Sequence, residues 1–157
     1  MIRLATLADV PNIVAISKPC YDQMEFDSLG WKYDADRIAE SYARGVTTDN
    51  HILIVAEDNG TIIGLLFINI CTESYYFKYN PFAQEIMWHV LPSLSTYRRS
   101  KYMLKMLSFA EKILAERGIK NFYLGTDLRE GFNGVGKHLL KNNYQLVCTR
   151  LFKEIPL

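Results

Sequence analysis

A carboxylate, a buried strand and a cluster of cations follow one another in the middle of the chain, and their order suggests chemistry on an anionic ligand. Glu85 opens the segment Glu85–Leu91, whose apolar residues predict a buried strand. Arg98, Arg99 and Lys101 follow in a predicted turn, and an amphipathic helix is predicted next. Backbone N–H groups at such a helix start, together with guanidinium groups, can bind a phosphate-bearing ligand. Glu85 then lies one strand length upstream, placed to act as a base near that ligand's reactive end.

The elements that must position these groups are predicted from local patterns. Strands are expected near residues 2–4, 52–56, 61–70, 85–91, 121–125, 144–147 and 151–155, and helices near 6–18, 35–44, 101–117 and 133–142. Lys18-Pro19 and Gly45 are expected to end the first two helices, and Gly118 the third. Asn59-Gly60 predicts a hairpin turn. This order of elements predicts an α+β fold in which helices cover a mixed sheet.

Composition limits the classes of function. The chain has 157 residues and a formal net charge of +1, so we expect one domain over residues 1–157 and consider nucleic acid an unfavourable partner. Cys20, Cys71 and Cys148 are too widely spaced to predict a disulfide framework or a metal site. The N-terminus does not resemble a secretion signal, and no apolar run approaches the roughly 20 residues that span a bilayer. We therefore expect a cytoplasmic protein without a metal or a membrane partner.

Several motifs resemble the GNAT superfamily of acetyl-CoA-dependent N-acyltransferases. Val90-x-Pro92 matches the end of the family's central strand, Arg98 takes the opening Arg position of its cofactor turn, and Asn143-Tyr144 stands where Gly-Phe is usual. The segments 3–9 and 57–64 are similar to the family's first half, so the resemblance covers nearly the whole chain. It is closest to a subgroup often encoded by bacteriophages, whose Arg-Gly-Ser-like turn is similar to Tyr97–Leu107.

The resemblance implies a GNAT-like fold, with a mixed, mostly antiparallel twisted sheet of six to seven strands flanked by about four helices. It also implies acetyl-CoA as co-substrate. Cofactor-binding residues are then expected at His89, Val90, Arg98, Arg99, Ser100, Lys101, Tyr102 and Met103. The glycines of the family motif, which let backbone approach phosphate oxygens, are replaced by Arg99, Lys101 and Met103. Two of these are cations, which can partly replace close approach by charge.

Glu85 is the candidate general base. An attacking amine has a pKa near 10 and must lose a proton before attack, and family members often carry a glutamate at this place in the strand. The alternative is a strand-edge glutamate in solvent. His89 shares strand parity with Glu85 and Met87, which allows either a proton relay or a packed, hydrogen-bonded histidine. The backbone N–H of Val90 is expected to stabilise an oxyanion.

The general acid is left open by the sequence. Many family members protonate the departing thiolate with a tyrosine in the last helix, and the matching place here falls on Leu139 or Leu140. Tyr102 or Tyr144 can substitute, or the thiolate can leave unassisted because its pKa is modest. No residue resembles an activated nucleophile beside a base, so direct attack in a ternary complex is expected rather than an acyl-enzyme.

The acceptor is expected to meet the variable segments 25–33 and 73–79. Glu25, Trp31, Tyr75 and Tyr76 are the candidate substrate-binding residues, because acids and aromatic rings attract a cationic amine. These loops can equally pack on the sheet or on a partner subunit, which would give a homodimer. The leading prediction is an N-acetyltransferase acting on a small-molecule or protein amine. The alternatives are an inactive binding module with this fold, or an enzyme that modifies a nucleobase or another macromolecular amine.

Overall fold

The computed structural model describes residues 1–23, 32–72, 81–125 and 135–145. The chain divides into two compact units, Met1–Gly125 and Thr126–Leu157. The first contains the elements β1 (Ile2–Leu4), a 3-10 helix (Leu7–Asp9), α1 (Val10–Gln23), α2 (Ala35–Thr47), β2 (His51–Asp58), β3 (Thr61–Cys71), β4 (Phe82–Val90), α3 (Thr96–Glu116) and β5 (Asn121–Tyr123). The second contains α4 (Val135–Lys141).

The sheet has five strands in the order β1-β2-β3-β4-β5 within the described residues. The first three pairings are antiparallel, and β5 runs parallel to β4. The predicted α+β fold with a mostly antiparallel sheet is therefore confirmed, whereas the predicted count of six to seven strands is not matched. The two further predicted strands lie outside the described residues, apart from Tyr144 and Gln145, which belong to no strand.

Helices cover both faces of the sheet in the first unit. One face packs against α3 through Ile54, Leu66, Ile68, Val90, Met106, Ala110 and Leu114. The other packs against α1 and α2 through Ile13, Ile16, Tyr42, Leu53, Val55, Leu65 and Phe67. Alternate residues of β2 and β3 serve opposite faces, as the two-residue repeat of a strand requires. This arrangement explains why both strands are almost continuously apolar.

Two predicted turns, at Asn59-Gly60 and at Gly118, are confirmed by their backbone conformation. Asn59 and Gly60 both have positive φ, 49° and 77°, which is the conformation of the tight turn expected between β2 and β3. Gly118 follows α3 with φ 73°. Its N–H donates to Ala115 O at 3.0 Å, and the N–H of Ile119 donates to Leu114 O at 2.9 Å. Gly118 thus ends α3 as predicted.

Two predicted helix ends are wrong. α1 continues through Pro19 to Gln23. Buried Cys20 extends the apolar stripe of the helix by another turn, and this burial favours continuation of the helix against the cost of a proline in its interior. α2 likewise passes Gly45 and ends at Thr47. A Cβ at Gly45 would lie 2.6 Å from Phe67 Cε2, so the glycine allows close packing on β3 rather than ending the helix.

The start of α3 also differs from the prediction. The helix begins at Thr96 rather than at about residue 101, because Ser95 caps it. The Ser95 side chain accepts a hydrogen bond from Arg98 N at 3.4 Å, and its carbonyl accepts one from Arg99 N at 2.9 Å. The predicted basic turn is therefore the first helical turn and the start of the second.

Candidate active site

One edge of β4 is open along the second half of the strand. β5 pairs with β4 only at Phe82, Ala83 and Gln84, although β4 continues to Val90. Within the described residues no strand pairs with this edge beyond Gln84. Leu91 N donates to Ile63 O of β3 at 2.8 Å, and successive amides along a strand point to opposite sides. The Val90 N–H therefore points toward the open edge, as an oxyanion donor would require.

A β-bulge separates Glu85 from His89. The register pairs Glu85 with Ile68 and then Met87 with Phe67, so Ile86 is the extra residue. Ile68 belongs to the face that packs on α3, whereas Phe67 belongs to the opposite face. The predicted shared parity of Glu85 with Met87 and His89 is therefore wrong. The sequence repeat alone could not reveal it, because one inserted residue reverses the alternation of a strand.

Glu85 lies where the pairing of β4 with β5 ends. Its side chain is half-buried, and Oε2 accepts a hydrogen bond from Gly125 N at 2.8 Å. Burial raises the pKa of the carboxyl above its usual value, and the Gly125 hydrogen bond opposes this change. A carboxylate with a raised pKa accepts a proton more readily near neutral pH. A raised pKa is what a general base acting near neutral pH requires, and the role of Glu85 as that base stays a prediction.

His89 is enclosed on the side of the sheet that faces α1 and α2, because its register partner Leu65 belongs to that face. Its side chain is 7% exposed, and neither ring nitrogen has a hydrogen-bond partner in the described part of the chain. Burial lowers the pKa of the imidazole to about 4. At neutral pH the ring is therefore uncharged. One prediction for His89 was a histidine that is packed and hydrogen-bonded. The side chain is packed, but its ring forms no hydrogen bond with the described residues.

The side chains at the start of α3 have different surroundings. Arg98 forms an ion pair with Asp58 at the end of β2, and the Tyr102 hydroxyl donates to the other oxygen of Asp58 at 3.0 Å. Arg99 is half-buried, and its enclosed Nε has no hydrogen-bond partner. Lys101 is exposed. The contact of Asp58 with Arg98 and Tyr102 was not predicted, because these residues lie 40 and 44 positions away in the chain.

The free backbone donors at this helix end are fewer than expected. The first four N–H groups of a helix, counted from the cap residue, lack intrahelical partners. Here they belong to Ser95, Thr96, Tyr97 and Arg98, and Arg98 N bonds to the Ser95 side chain. The Arg99 N–H makes the first regular bond of the helix, to Ser95 O, and the amides of Thr96 and Tyr97 have no partner among the described residues. The amides of Ser100, Lys101, Tyr102 and Met103 lie inside α3, where they are committed to carbonyls four residues earlier. Met103 also packs against the core beneath α3.

The candidate acceptor residues Glu25, Trp31, Tyr75 and Tyr76 lie outside the described residues. Beside them, Tyr33 is described. Its hydroxyl donates to Val14 O of α1 at 2.7 Å, and its ring meets Tyr21 edge to face with centroids 5.3 Å apart. This contact ties the chain before α2 to α1.

Three further findings concern the described residues. A cavity of about 150 Å³ lies near the C-terminal end of α2, is lined by Thr48, His51 and Arg117 among others, and contains no predicted site residue. No described helix is long and apolar enough to cross a membrane. No described group of His, Cys, Asp and Glu side chains is arranged to hold a metal ion.

Solved structures with the same fold include several acetyltransferases. The aminoglycoside 6'-N-acetyltransferase of Acinetobacter haemolyticus is 14% identical with a TM-score of 0.69, covering 100% of this chain and 99% of its own. An aminoglycoside acetyltransferase from an uncultured soil sample, in complex with sisomicin, is 15% identical with a TM-score of 0.70 over 99% and 96% of the two chains. A predicted acetyltransferase of Clostridium acetobutylicum with acetyl-CoA is 17% identical with a TM-score of 0.70 over 98% and 95%.

Sequence comparisons address the family directly. No curated protein is significantly similar in sequence. The model of the acetyltransferase (GNAT) family, however, matches residues 11–131. This match runs from the second residue of α1 to beyond β5 and includes the open edge of β4, Glu85 and the start of α3. The chain therefore belongs to the acetyltransferase (GNAT) family.

Proposed function

We propose that the chain transfers an acetyl group from acetyl-CoA to a primary amine by direct attack within a ternary complex. The observation that carries this proposal is the open edge of β4 that begins beside Glu85, because it combines unpaired backbone groups with a partly desolvated carboxylate. The family assignment supports an acetyltransferase, and the structural relative with acetyl-CoA supports this donor. The resemblance of Tyr97–Leu107 to the bacteriophage-type subgroup belongs to the same proposal.

The described residues fit the chemical groups of acetyl-CoA. The exposed N–H and C=O groups of a strand edge suit the amides of an extended arm such as pantetheine. The free amides of Thr96 and Tyr97 lie at the positive end of the α3 dipole, which suits a diphosphate. The enclosed Nε of Arg99 has no acceptor among the described residues, and an anionic group would satisfy it. Acetyl-CoA would supply the acetyl thioester that the amine attacks.

The roles of the chain's own residues follow from their surroundings. Glu85 accepts the proton of the acceptor ammonium, directly or through water, since burial favours its protonated form. The Val90 N–H offers a donor at the open edge where negative charge develops. Cys20 is buried, and burial raises the pKa of its thiol to about 11. It is therefore a poor nucleophile, which supports direct attack over an acyl-enzyme.

The acceptor class is proposed from the relatives and the sequence together. Two of the structural relatives are aminoglycoside acetyltransferases, which supports an amine acceptor. Glu25, Trp31, Tyr75 and Tyr76 remain the candidate acceptor residues on sequence grounds. We also propose a cytoplasmic location, a single domain and a homodimer.

Acetyl-CoA binding is the first test. A ligand at 100 times its Kd stabilises the folded state by about 2.7 kcal/mol, which for a chain of this size corresponds to a rise in Tm of roughly 5–10 °C. We expect that rise at millimolar acetyl-CoA. No rise would contradict the proposal and favour the non-catalytic binding module.

Glu85→Gln is the second test, with acetylation of a panel of primary amines as the assay. We expect kcat to fall by about 100-fold or more, because general base catalysis supplies 10²–10⁴-fold, while the Kd of acetyl-CoA stays within about twofold. Glu116→Gln, at an exposed position of α3, is the control for loss of one carboxylate. Equal losses of turnover and affinity in Glu85→Gln would remove Glu85 as the base.

A further inference from the structure

The two adjacent arginines at the start of α3, Arg98 and Arg99, differ in whether a described carboxylate pairs with them. Arg98 is paired with Asp58, whose other carboxylate oxygen accepts the Tyr102 hydroxyl. Arg98 and Tyr102 are four residues apart, so they lie one above the other on the same side of the helix. The Asp58 carboxylate on the β2–β3 hairpin thus binds both side chains, although Asp58 lies 40 residues before Arg98 in the chain.

Arg99 projects in a different direction, and no carboxylate among the described residues forms an ion pair with it. A step of one residue turns the helix by about 100°, away from the hairpin. The Arg99 charge acts on the thiol of Cys20, which places the guanidinium within electrostatic range of the last turns of α1. Its Nε is enclosed without a hydrogen-bond acceptor. An enclosed donor without a partner is unfavourable, so the Nε calls for an acceptor from outside the described residues, such as a bound anion.

We propose that Asp58 is a positioning residue of the acetyl-CoA site, which holds Arg98 and Tyr102 on the hairpin and leaves the diphosphate of the ligand to Arg99. The inference rests on the proposed function. The family motif by itself suggests the reverse, since Arg98 takes its opening position and Arg99 stands where a glycine is usual. The ion pair with Asp58 compensates the charge of Arg98 and fixes its side chain, whereas no carboxylate of the described residues compensates the charge of Arg99.

Two ligands separate a phosphate contact from a positioning effect. Acetyl-CoA carries the diphosphate, and S-acetylpantetheine has the same thioester arm without it. Arg99→Gln should weaken acetyl-CoA binding by about tenfold or more, the size expected for a charge-assisted hydrogen bond, and leave S-acetylpantetheine binding unchanged. Arg99→Lys, which keeps the charge, should recover part of the loss. Arg98→Gln should weaken both ligands equally, by about two- to fivefold, as expected for loss of a partly exposed ion pair.

Asp58 itself is tested by a double-mutant cycle on Tm and on acetyl-CoA affinity. Asp58→Asn and Arg98→Gln should each lower Tm, and the double variant should be no worse than Asp58→Asn alone, because the ion pair that Arg98→Gln removes is then already lost. Lys105→Gln, at an exposed position of α3, controls for the loss of one positive charge near the site. It should change neither the Tm nor the ratio of the two affinities.

Three results would overturn this inference. Arg98→Gln could weaken acetyl-CoA more than Arg99→Gln does, with S-acetylpantetheine unaffected. Asp58→Asn could tighten acetyl-CoA binding, which would make Asp58 a competitor of the ligand rather than a positioning residue. The effects of Asp58→Asn and Arg98→Gln could also be additive. Failure of the unsubstituted chain to bind acetyl-CoA would instead contradict the proposed function, and this inference with it.

Discussion

Burial of His89 without a hydrogen-bond partner makes the stability of the fold sensitive to mild acid. The pKa of its imidazole is lowered from 6.5 to about 4 by burial. Because the folded-state pKa lies below the unfolded one, the unfolded chain binds more protons between these values. The contribution to stability is therefore complete above about pH 6.5 and is lost as the pH falls toward 4. Folding should lose about 2 kcal/mol between pH 7 and pH 5 from this residue alone.

The assay is urea denaturation at pH 7 and pH 5 for the natural chain and for His89→Leu. Leucine cannot take up a proton, so the loss on acidification should be about 2 kcal/mol smaller in the variant. His138→Gln, at an exposed position, is the matched control for removal of one imidazole. An equal loss in the natural chain and in His89→Leu would refute the reasoning. So would an NMR titration of His89 with a midpoint near pH 6.5.

Two glycine substitutions test the packing around the site and the core. Gly125→Ala would place a Cβ 2.8 Å from Glu85 Oε2, and we expect kcat to fall about tenfold or more with little change in Tm, since small displacements of a catalytic group are costly. Unchanged kcat would argue against Glu85 as the base. Gly45→Ala would place a Cβ 2.6 Å from Phe67 Cε2, and calorimetry should show a lower Tm, with a cost of about 1–3 kcal/mol from overpacking. A raised Tm would show that helix propensity prevails there.

Local patterns in the sequence predicted the features that local energetics decide. Asn59-Gly60 and Gly118 have the positive φ that their turns require, and these residues adopt it at little cost. The apolar face of α3 was predicted from its helical repeat, and Val90-x-Pro92 with Arg98 identified the family. The candidate base Glu85 came from that resemblance, and its role remains a prediction.

Tertiary contacts decided the remaining features. Pro19 stays inside α1 and Gly45 inside α2 because each helix buries residues against the sheet. The bulge at Ile86, the open edge beyond Gln84 and the ion pair of Arg98 with Asp58 all depend on strands or helices far apart in the chain. Such pairings are set by how the elements pack, and no short window of sequence contains both partners. Sequence alone thus determined the family and the local turns, whereas packing decided which arginine at the start of α3 forms an ion pair with the β2–β3 hairpin.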